Sequence, residues 1–348
     1  MSKLKQGFII GCLLLAQWGM AQTNIALCDT NSFVLNGGVV LHKTSFRGLS
    51  VVNDSVIWAS GNNGTIAKST DGGKTFYFDK LAGYETCDFR DIEAFDAKNA
   101  IVMSTRAPAY ILKTTDGGQT WKEVYKNTDT AVFLDAMDFW NDKKGVLVGD
   151  PIQKHFFMLY TLDGGNTWQN IDEKYTPIAN DGEAVFAASG TSLRCWGNKE
   201  FGFVTGGMKS SFYHFKSLQK ASDKTNLLIQ QGASAKGAFS FAVTNKAKIA
   251  VGGNYLQDSV RYKNFDEIGV NLYYEDAGEQ PFGYRSCIEK LSINNFLACG
   301  TNGVDAFNYQ ERTWKSISKV SFNTVRKAKK GNAVFLVGSK GKIAKMIY

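Results

Sequence analysis

The sequence predicts an all-β protein, a seven-bladed β-propeller of four-stranded antiparallel blades whose ring is closed by an N-terminal strand. Three observations predict this fold. A tight-turn motif recurs three times at nearly constant spacing, a second glycine-containing turn recurs at both ends of the chain, and helical periodicity is absent. These features indicate a single domain over residues 22–348, although a chain of 348 residues would otherwise suit two domains.

The first repeated motif reads Ser/Thr-x-Asp-Gly-Gly-x-Thr followed by an aromatic residue. Its aspartates, Asp71, Asp116 and Asp163, are 45 and 47 residues apart, which is the period of a four-stranded blade. Asp-Gly-Gly supplies the positive φ angles that a tight turn requires, and the carboxylate accepts backbone N–H groups across the turn. The motif resembles the Asp-box (BNR repeat) of sialidase-type propellers. We therefore expect these three aspartates to be structural.

The second repeat sets the number of blades. Residues 60–68 recur as residues 337–345, and residues 299–303 are a looser copy. Alignment on these turns places seven blade starts near Phe46, Phe89, Phe133, Gly182, Ala238, Tyr284 and Phe322. The last blade reaches residue 348 after three strands, so we predict that its fourth strand comes from the N-terminal side, near Val39-Val40-Leu41.

Residues 1–21 have the order of an export signal: Lys3 and Lys5, a short apolar run, and small residues ending at Ala21. We predict cleavage after Ala21 and a periplasmic or extracellular location. An uncleaved anchor and lipidation at Cys12 are the alternatives. No second apolar segment is long enough to span a membrane, so no transmembrane segment is expected in the mature chain.

Composition excludes several classes of function. The net charge of +8 comes from scattered Lys and Arg residues, which argues against nucleic-acid binding. The three histidines lack ligand spacing, and nucleotide, zinc-protease and serine-hydrolase motifs are absent, so we expect neither metal nor cofactor.

Five cysteines follow residue 21, an odd number. Cys287 and Cys299 flank a predicted turn, as a disulfide or as two buried thiols.

The candidate site lies where the first strands of the blades begin, because these beginnings converge on one mouth of the channel. We predict that Arg47, Arg90 and Arg285 bind an anionic group, since guanidinium makes bidentate bonds to carboxylate or phosphate. Carboxylates at similar positions would orient the arginines or act as acid and base: Asp91, Asp135 and Glu183. The alternative is a ring of ion pairs that joins the blades.

Over most of residues 22–348, the repeats resemble those of the photosystem II assembly and stability factor family of propellers. The resemblance implies a binding or assembly module whose partner is a protein or an anionic glycan or small molecule. A sialidase-like glycoside hydrolase acting on an acidic sugar is the alternative, because Phe46-Arg47 is similar to the start of the sialidase Phe-Arg-Ile-Pro motif. In that case Tyr284 would be the nucleophile and Glu183 would activate it. An inert envelope scaffold is the third possibility.

Overall fold

The computed structural model describes residues 24–27, 34–35, 44–270 and 279–347. It contains a ring of seven antiparallel β-sheets, so the predicted seven-bladed propeller is confirmed. The predicted export signal, residues 1–21, lies outside the described residues. Within the described part of the chain, no helix is long and apolar enough to cross a membrane.

Each blade runs outward from the strand beside the channel. Blade 1 contains β3 (Phe46–Val51), β4 (Ile57–Gly61), β5 (Thr65–Ser69) and β6 (Tyr77–Lys80). Blade 2 contains β7 (Phe89–Ala94), β8 (Ala100–Ser104), β9 (Ala109–Thr114) and β10 (Lys122–Asn127). Blade 3 contains β11 (Leu134–Phe139), β12 (Gly145–Ile152), β13 (His155–Thr161) and β14 (Gln169–Asn170). Blade 4 contains β16 (Leu193–Trp196), β17 (Glu200–Val204), β19 (Ser211–Phe215) and β20 (Asp223–Asn226). Blade 5 contains β21 (Lys236–Val243), β22 (Lys248–Asn254) and β23 (Phe265–Glu267). Blade 6 contains β24 (Cys287–Lys290), β25 (Asn295–Gly300), β26 (Gly303–Asn308) and β27 (Thr313–Ser318). Blade 7 contains β28 (Thr324–Lys327), β29 (Val334–Val337) and β30 (Ile343–Ile347). In the described ranges, two short 3₁₀ helices lie outside the blades, at Glu173–Tyr175 and Tyr255–Gln257.

The ring is closed by strand β1 (Asn24–Leu27), which pairs antiparallel with β30 as the outer strand of blade 7. Closure by an N-terminal strand is therefore confirmed, but its predicted position at Val39-Val40-Leu41 is wrong; that segment lies outside the described residues. An outer strand needs only a short extended segment, and the N-terminal region offers more than one. A further strand, β2 (Val34–Leu35), pairs parallel with β6 at the edge of blade 1.

The predicted start of blade 4 at Gly182 is also wrong, because the first strand of that blade begins at Leu193. The residues after Gly182 form β15 (Glu183–Ala184) instead. This strand pairs with β18 (Gly206–Gly207), and β18 pairs in turn with the first strand of blade 5. The chain between blades 3 and 4 is therefore longer than a simple turn, and this extra length reaches the channel mouth.

Seven clusters of buried apolar side chains fill the seven interfaces between neighbouring blades. The second strands are the most apolar, and every residue of β4, β8 and β29 is buried. Both faces of each blade are covered by a neighbour, which explains why these strands are apolar throughout rather than alternating. The polar residues that remain near the axis are therefore conspicuous.

The three repeated turns share most of their hydrogen bonds in blades 1 to 3. In blade 1, Oδ1 of Asp71 accepts from the Lys74 and Thr75 amides at 3.0 Å, and Oδ2 accepts from the Thr75 hydroxyl at 2.6 Å. The Ser69 hydroxyl donates to Asp71 at 2.8 Å. Burial acts to raise the pKa of Asp71, but these hydrogen bonds outweigh it and lower the pKa to about 2.

A lysine of the preceding blade binds each of these turns. Lys345, Lys68 and Lys113 donate through Nζ to the carbonyl oxygens of Gly72, Gly117 and Gly164, at 3.1, 2.9 and 2.7 Å. The turns therefore join neighbouring blades as well as closing their own hairpins. They lie at the end of the ring where the first strands finish.

Candidate functional site

Two of the predicted arginines and one predicted carboxylate occupy equivalent β-bulges in the first strands of their blades. The strand register skips one residue after Phe46 in blade 1 and one after Phe89 in blade 2. The skipped residues are Arg47, Arg90, Asp135 and Phe239. A bulge redirects a side chain away from the regular alternation of the strand. The alignment of these positions in the sequence therefore has a structural cause.

Residues 185–192, here called the mouth segment, cross this end of the channel. Arg47 and Arg90 each donate through Nη1 to a carbonyl oxygen of the segment, that of Ala188 at 3.1 Å and that of Ala187 at 3.3 Å. On the other side, the hydroxyl of Ser189 donates to the carbonyl oxygen of Ser286 at 2.8 Å. The segment thus connects blades 1, 2 and 6.

Beside the mouth segment lies a cavity of about 300 Å³, here called the mouth cavity. It is lined by two arginines, a group of aromatic rings and several polar residues: Arg47, Arg90, Phe186, Ala187, Ala188, Phe239, Tyr255, Tyr284, Ser286, Thr301 and Asn323. Phe186 and Phe239 stack with their ring centroids 3.9 Å apart. The cavity therefore combines an apolar wall with a positively charged wall.

The two arginines differ in how their charge is compensated. Arg90 pairs with Asp88 at 2.7 Å. Arg47 has no carboxylate within 4 Å among the described side chains. Burial lowers the pKa of Arg47, and repulsion from Arg90 lowers it further. The mouth cavity thus holds an uncompensated positive charge, which an anionic group would neutralise.

The third predicted arginine lies elsewhere. Arg285 is 1% exposed and donates through Nε to Asp305 at 2.8 Å, within blade 6. It also donates to the carbonyl oxygen of Tyr284 at 2.7 Å. The structure therefore brings together Arg47 and Arg90 but not Arg285, whose contacts are those of a structural ion pair.

Two predicted carboxylates lie buried beneath the mouth segment. Asp91 accepts from the Met137 and Ile92 amides at 2.8 and 2.9 Å, and burial raises its pKa well above the ordinary value. Among the residues that the structure describes, neither oxygen of Asp135 has a partner with good hydrogen-bond geometry. Burial also raises the pKa of Asp135 well above the ordinary value, and Arg90 offsets only part of that effect. Burial therefore favours the protonated form of both carboxyl groups.

Glu183 is paired with a different tyrosine from the predicted one. The hydroxyl of Tyr213 donates to its carboxylate at 3.2 Å, and the hydroxyl of Thr205 donates at 2.6 Å. Burial acts to raise the pKa of Glu183, but these and other hydrogen bonds outweigh it and lower the pKa. Tyr284 lines the mouth cavity instead, and burial raises the pKa of its phenol. Glu183 and Tyr284 thus belong to different clusters.

A larger cavity, of about 1010 Å³, opens at the opposite end of the channel, where the first strands finish. We call it the distal cavity. Four of its charged residues share one place, the next-to-last position of a first strand: Glu93, Asp138, Glu289 and Arg326. Sequence reasoning missed them because it aligned only the beginnings of these strands. The signal in the sequence that could have identified the distal cavity was a charged residue at the same late position in several largely apolar first strands.

The two cysteines considered for a disulfide face each other across β24 and β25. Cys287 is the register partner of Cys299, and both thiols are free and buried. Burial acts to raise the pKa of Cys287, but Cys299, Arg194 and Thr191 outweigh it and lower the pKa to about 7. In the described part of the chain, no three His, Cys, Asp or Glu side chains are grouped as metal ligands.

Taken together, the sheets and the two axial cavities define a β-propeller with a plugged mouth. Residues 89–177 match the family model described as photosynthesis system II assembly factor YCF48, so the predicted resemblance is confirmed over this part of the chain.

Solved structures share the fold at low sequence identity. The structure of YCF48 bound to D1 peptide is 15% identical, with a TM-score of 0.62 over 95% of this chain and 96% of that one. YCF48 from Cyanidioschyzon merolae is 14% identical, with a TM-score of 0.61 over 87% of this chain and 96% of that one. The WD40 repeats of RRP9 are 13% identical, with a TM-score of 0.61 over 93% of this chain and 99% of that one. No curated protein matches the sequence.

Proposed function

We propose that this chain is an exported binding or assembly propeller that holds an anionic group of a protein partner in the mouth cavity. The observation that carries the proposal is the pair of guanidinium groups, Arg47 and Arg90, facing one cavity that no described carboxylate lines. A guanidinium group forms strong, directional hydrogen bonds with carboxylate and phosphate.

The lining also supports a protein partner. The aromatic rings of Phe239, Tyr255 and Tyr284 pack edge to face beside the arginines. Rigid aromatic groups next to arginine are the usual centres of protein recognition surfaces. A cavity of about 300 Å³ accommodates one acidic side chain with its neighbours rather than a whole folded element. A propeller of the same fold, YCF48, has been solved with D1 peptide bound.

The test is calorimetric titration of the purified chain with capped peptides that contain Glu and Phe, against matched peptides with Gln in place of Glu. We expect the acidic peptide to bind more tightly by about tenfold, because a charged hydrogen-bonded pair outweighs a neutral one. The variant Arg47→Ala/Arg90→Ala should lose this preference, whereas Lys330→Ala, at the opposite end of the ring, should keep it. Equal binding of both peptides would refute the proposal.

The glycoside hydrolase alternative is tested separately with chromogenic sialosides and uronides. It has less support, since no carboxylate lines the mouth cavity beside Tyr284 among the described residues. Turnover that disappears in folded Glu183→Gln or Asp135→Asn would nevertheless establish an enzyme. Absence of turnover in the intact chain would leave the binding function as the better account.

A further inference from the structure

The distal cavity is a feature of the described residues that the proposed function leaves unused. Its volume of about 1010 Å³ lies at the upper end of the range for ligand pockets. It is separated from the mouth cavity by the length of the first strands. We propose that it binds a peptide segment carrying a basic group at one end and an acidic group at the other.

Charges are unevenly distributed around this cavity: most acidic groups lie on one side, and Glu289, on the basic side, is paired with Arg194 and Arg326. Blades 2 and 3 supply acidic groups: Glu93, Asp96, Asp138 and Asp142. Blades 6 and 7 supply most of the basic groups: Lys290, Arg326, Lys327, Lys329 and Lys330. Blade 1 separates blade 7 from blade 2, and blades 4 and 5 separate blade 3 from blade 6, so in the described part of the chain the two sides meet only where Lys329 of blade 7 reaches Glu93 of blade 2.

The charges on the floor are held in place before any ligand arrives. Arg194 donates to the carbonyl oxygens of Phe241 and Ile288, each at 3.1 Å, and to Glu289 at 2.9 Å. Lys329 donates to Ala94 at 2.8 Å and pairs with Glu93. Fixed charges lose little freedom on binding, which favours recognition of a ligand with matching geometry.

Groups on both walls remain available to a ligand. Asp138 accepts from the Cys195 amide at 2.7 Å and the Phe139 amide at 2.9 Å, but no described Lys or Arg nitrogen lies within 4 Å of it. On the other wall, Lys290 and Lys330 form no ion pair within 4 Å among the described residues. A ligand with a basic end near Asp138 and an acidic end near Lys330 would form an ion pair with each of these two walls.

The apolar part of the lining favours a peptide over a small charged molecule. Phe95, Phe139 and Trp140 line the acidic side, and Leu291 and Ile293 line the basic side. A peptide backbone with small side chains between its charged ends would contact both apolar groups. A simple ion would use one wall only and leave most of the cavity filled with water.

The test uses capped hexapeptides with two lysines, two glycines and two glutamates, titrated into the full chain by calorimetry. Matched peptides carry Gln in place of either the lysines or the glutamates. We expect the mixed peptide to bind about tenfold more tightly than either single-sign peptide, because only it pairs with both walls. Equal binding of a single-sign peptide, or no binding of the mixed one, would overturn the proposal.

Variants locate the binding. The rim variant, Lys290→Gln/Lys330→Gln, changes two exposed side chains of the basic wall that form no ion pair among the described residues, and it should reduce the affinity by about tenfold. Asp138→Asn should do the same from the acidic wall; if it fails to fold, the rim variant decides. Because the glutamates of the mixed peptide can also pair with the mouth arginines, the titrations are repeated in Arg47→Ala/Arg90→Ala, where the preference for the mixed peptide and its loss in the rim variant should persist. Affinity unchanged in the rim variant would contradict the assignment.

Discussion

Arg285 and Asp305 form an ion pair inside blade 6 in which the guanidinium side chain is 1% exposed and the carboxylate 0%. Removing one partner of such a pair leaves the other charge buried. We therefore expect Arg285→Ala to lower the free energy of unfolding by about 3–5 kcal/mol. Urea denaturation measures this, with the exposed Arg106→Ala as the control. A loss similar to that of the control would show that the pair contributes little.

The mouth segment depends on a residue without a side chain. Gly190 has a φ of +67°, and a Cβ built there would lie 2.2 Å from Oδ1 of Asp91. Gly190→Ala therefore combines a left-handed backbone penalty of about 1–2 kcal/mol with a clash against a buried carboxyl group. Gly83→Ala is the matched control, since its φ is +84° and no atom of the described chain lies within 4 Å of the added Cβ.

We expect Gly190→Ala to destabilise the chain clearly more than Gly83→Ala in urea denaturation. It should also increase hydrogen exchange at the Ala187 and Ala188 amides, because the segment must shift to relieve the clash. Equal losses in the two variants, with unchanged exchange, would show that the mouth segment is not held against Asp91.

Asp71 should make stability depend on pH in the acid range. Its pKa falls from 3.8 to about 2 on folding, so its contribution is present above pH 3.8 and is lost as pH decreases through about 2. Because Asp71 is partly exposed to solvent, this contribution is about 1 kcal/mol. Asp71→Asn should remove it, whereas Lys74→Ala in the same turn should retain it. Unfolding curves at pH 2 to 5 would measure both.

Asp150 should act in the opposite direction. Burial raises its pKa from 3.8 to about 6, so folding becomes less favourable as pH increases through that interval. Asp150→Asn keeps an acceptor for the Val185 amide and removes the charge. We expect it to stabilise the chain by roughly 1–2 kcal/mol at pH 7 and to have little effect at pH 4. Exposed Asp181→Asn is the control, and equal effects at both pH values would contradict the prediction.

The repeated turns made the fold predictable, because each turn requires particular residues at fixed spacing. The position of blade 4 was not predictable, since the residues directly after Gly182 do form a strand, β15, but one of only two residues that does not belong to blade 4. Their pairing with β18 depends on contacts far away in the sequence. The same limit applies to the closing strand, β1.

The residues of the mouth cavity were only partly predictable from the sequence. Arg47 and Arg90 share a bulge position, and an alignment of strand beginnings finds them. Arg285 looks equivalent in the sequence, but β24 begins two residues later, at Cys287. That shift places its side chain against Asp305 rather than in the channel. A shift of one residue along a strand changes the face of the sheet on which a side chain lies, and sequence alignment does not resolve such shifts.

The pairing of β1 with β30 has a mechanical consequence. Asn24 lies opposite Ile347 and Leu27 lies opposite Ala344, so both ends of the chain leave this sheet on the same side. A force applied through the two termini would separate the hydrogen bonds of this pair one after another, instead of loading them all together. Under tension, the ring should therefore open at blade 7 by sequential rupture of the hydrogen bonds between β1 and β30, while the other six blades remain folded.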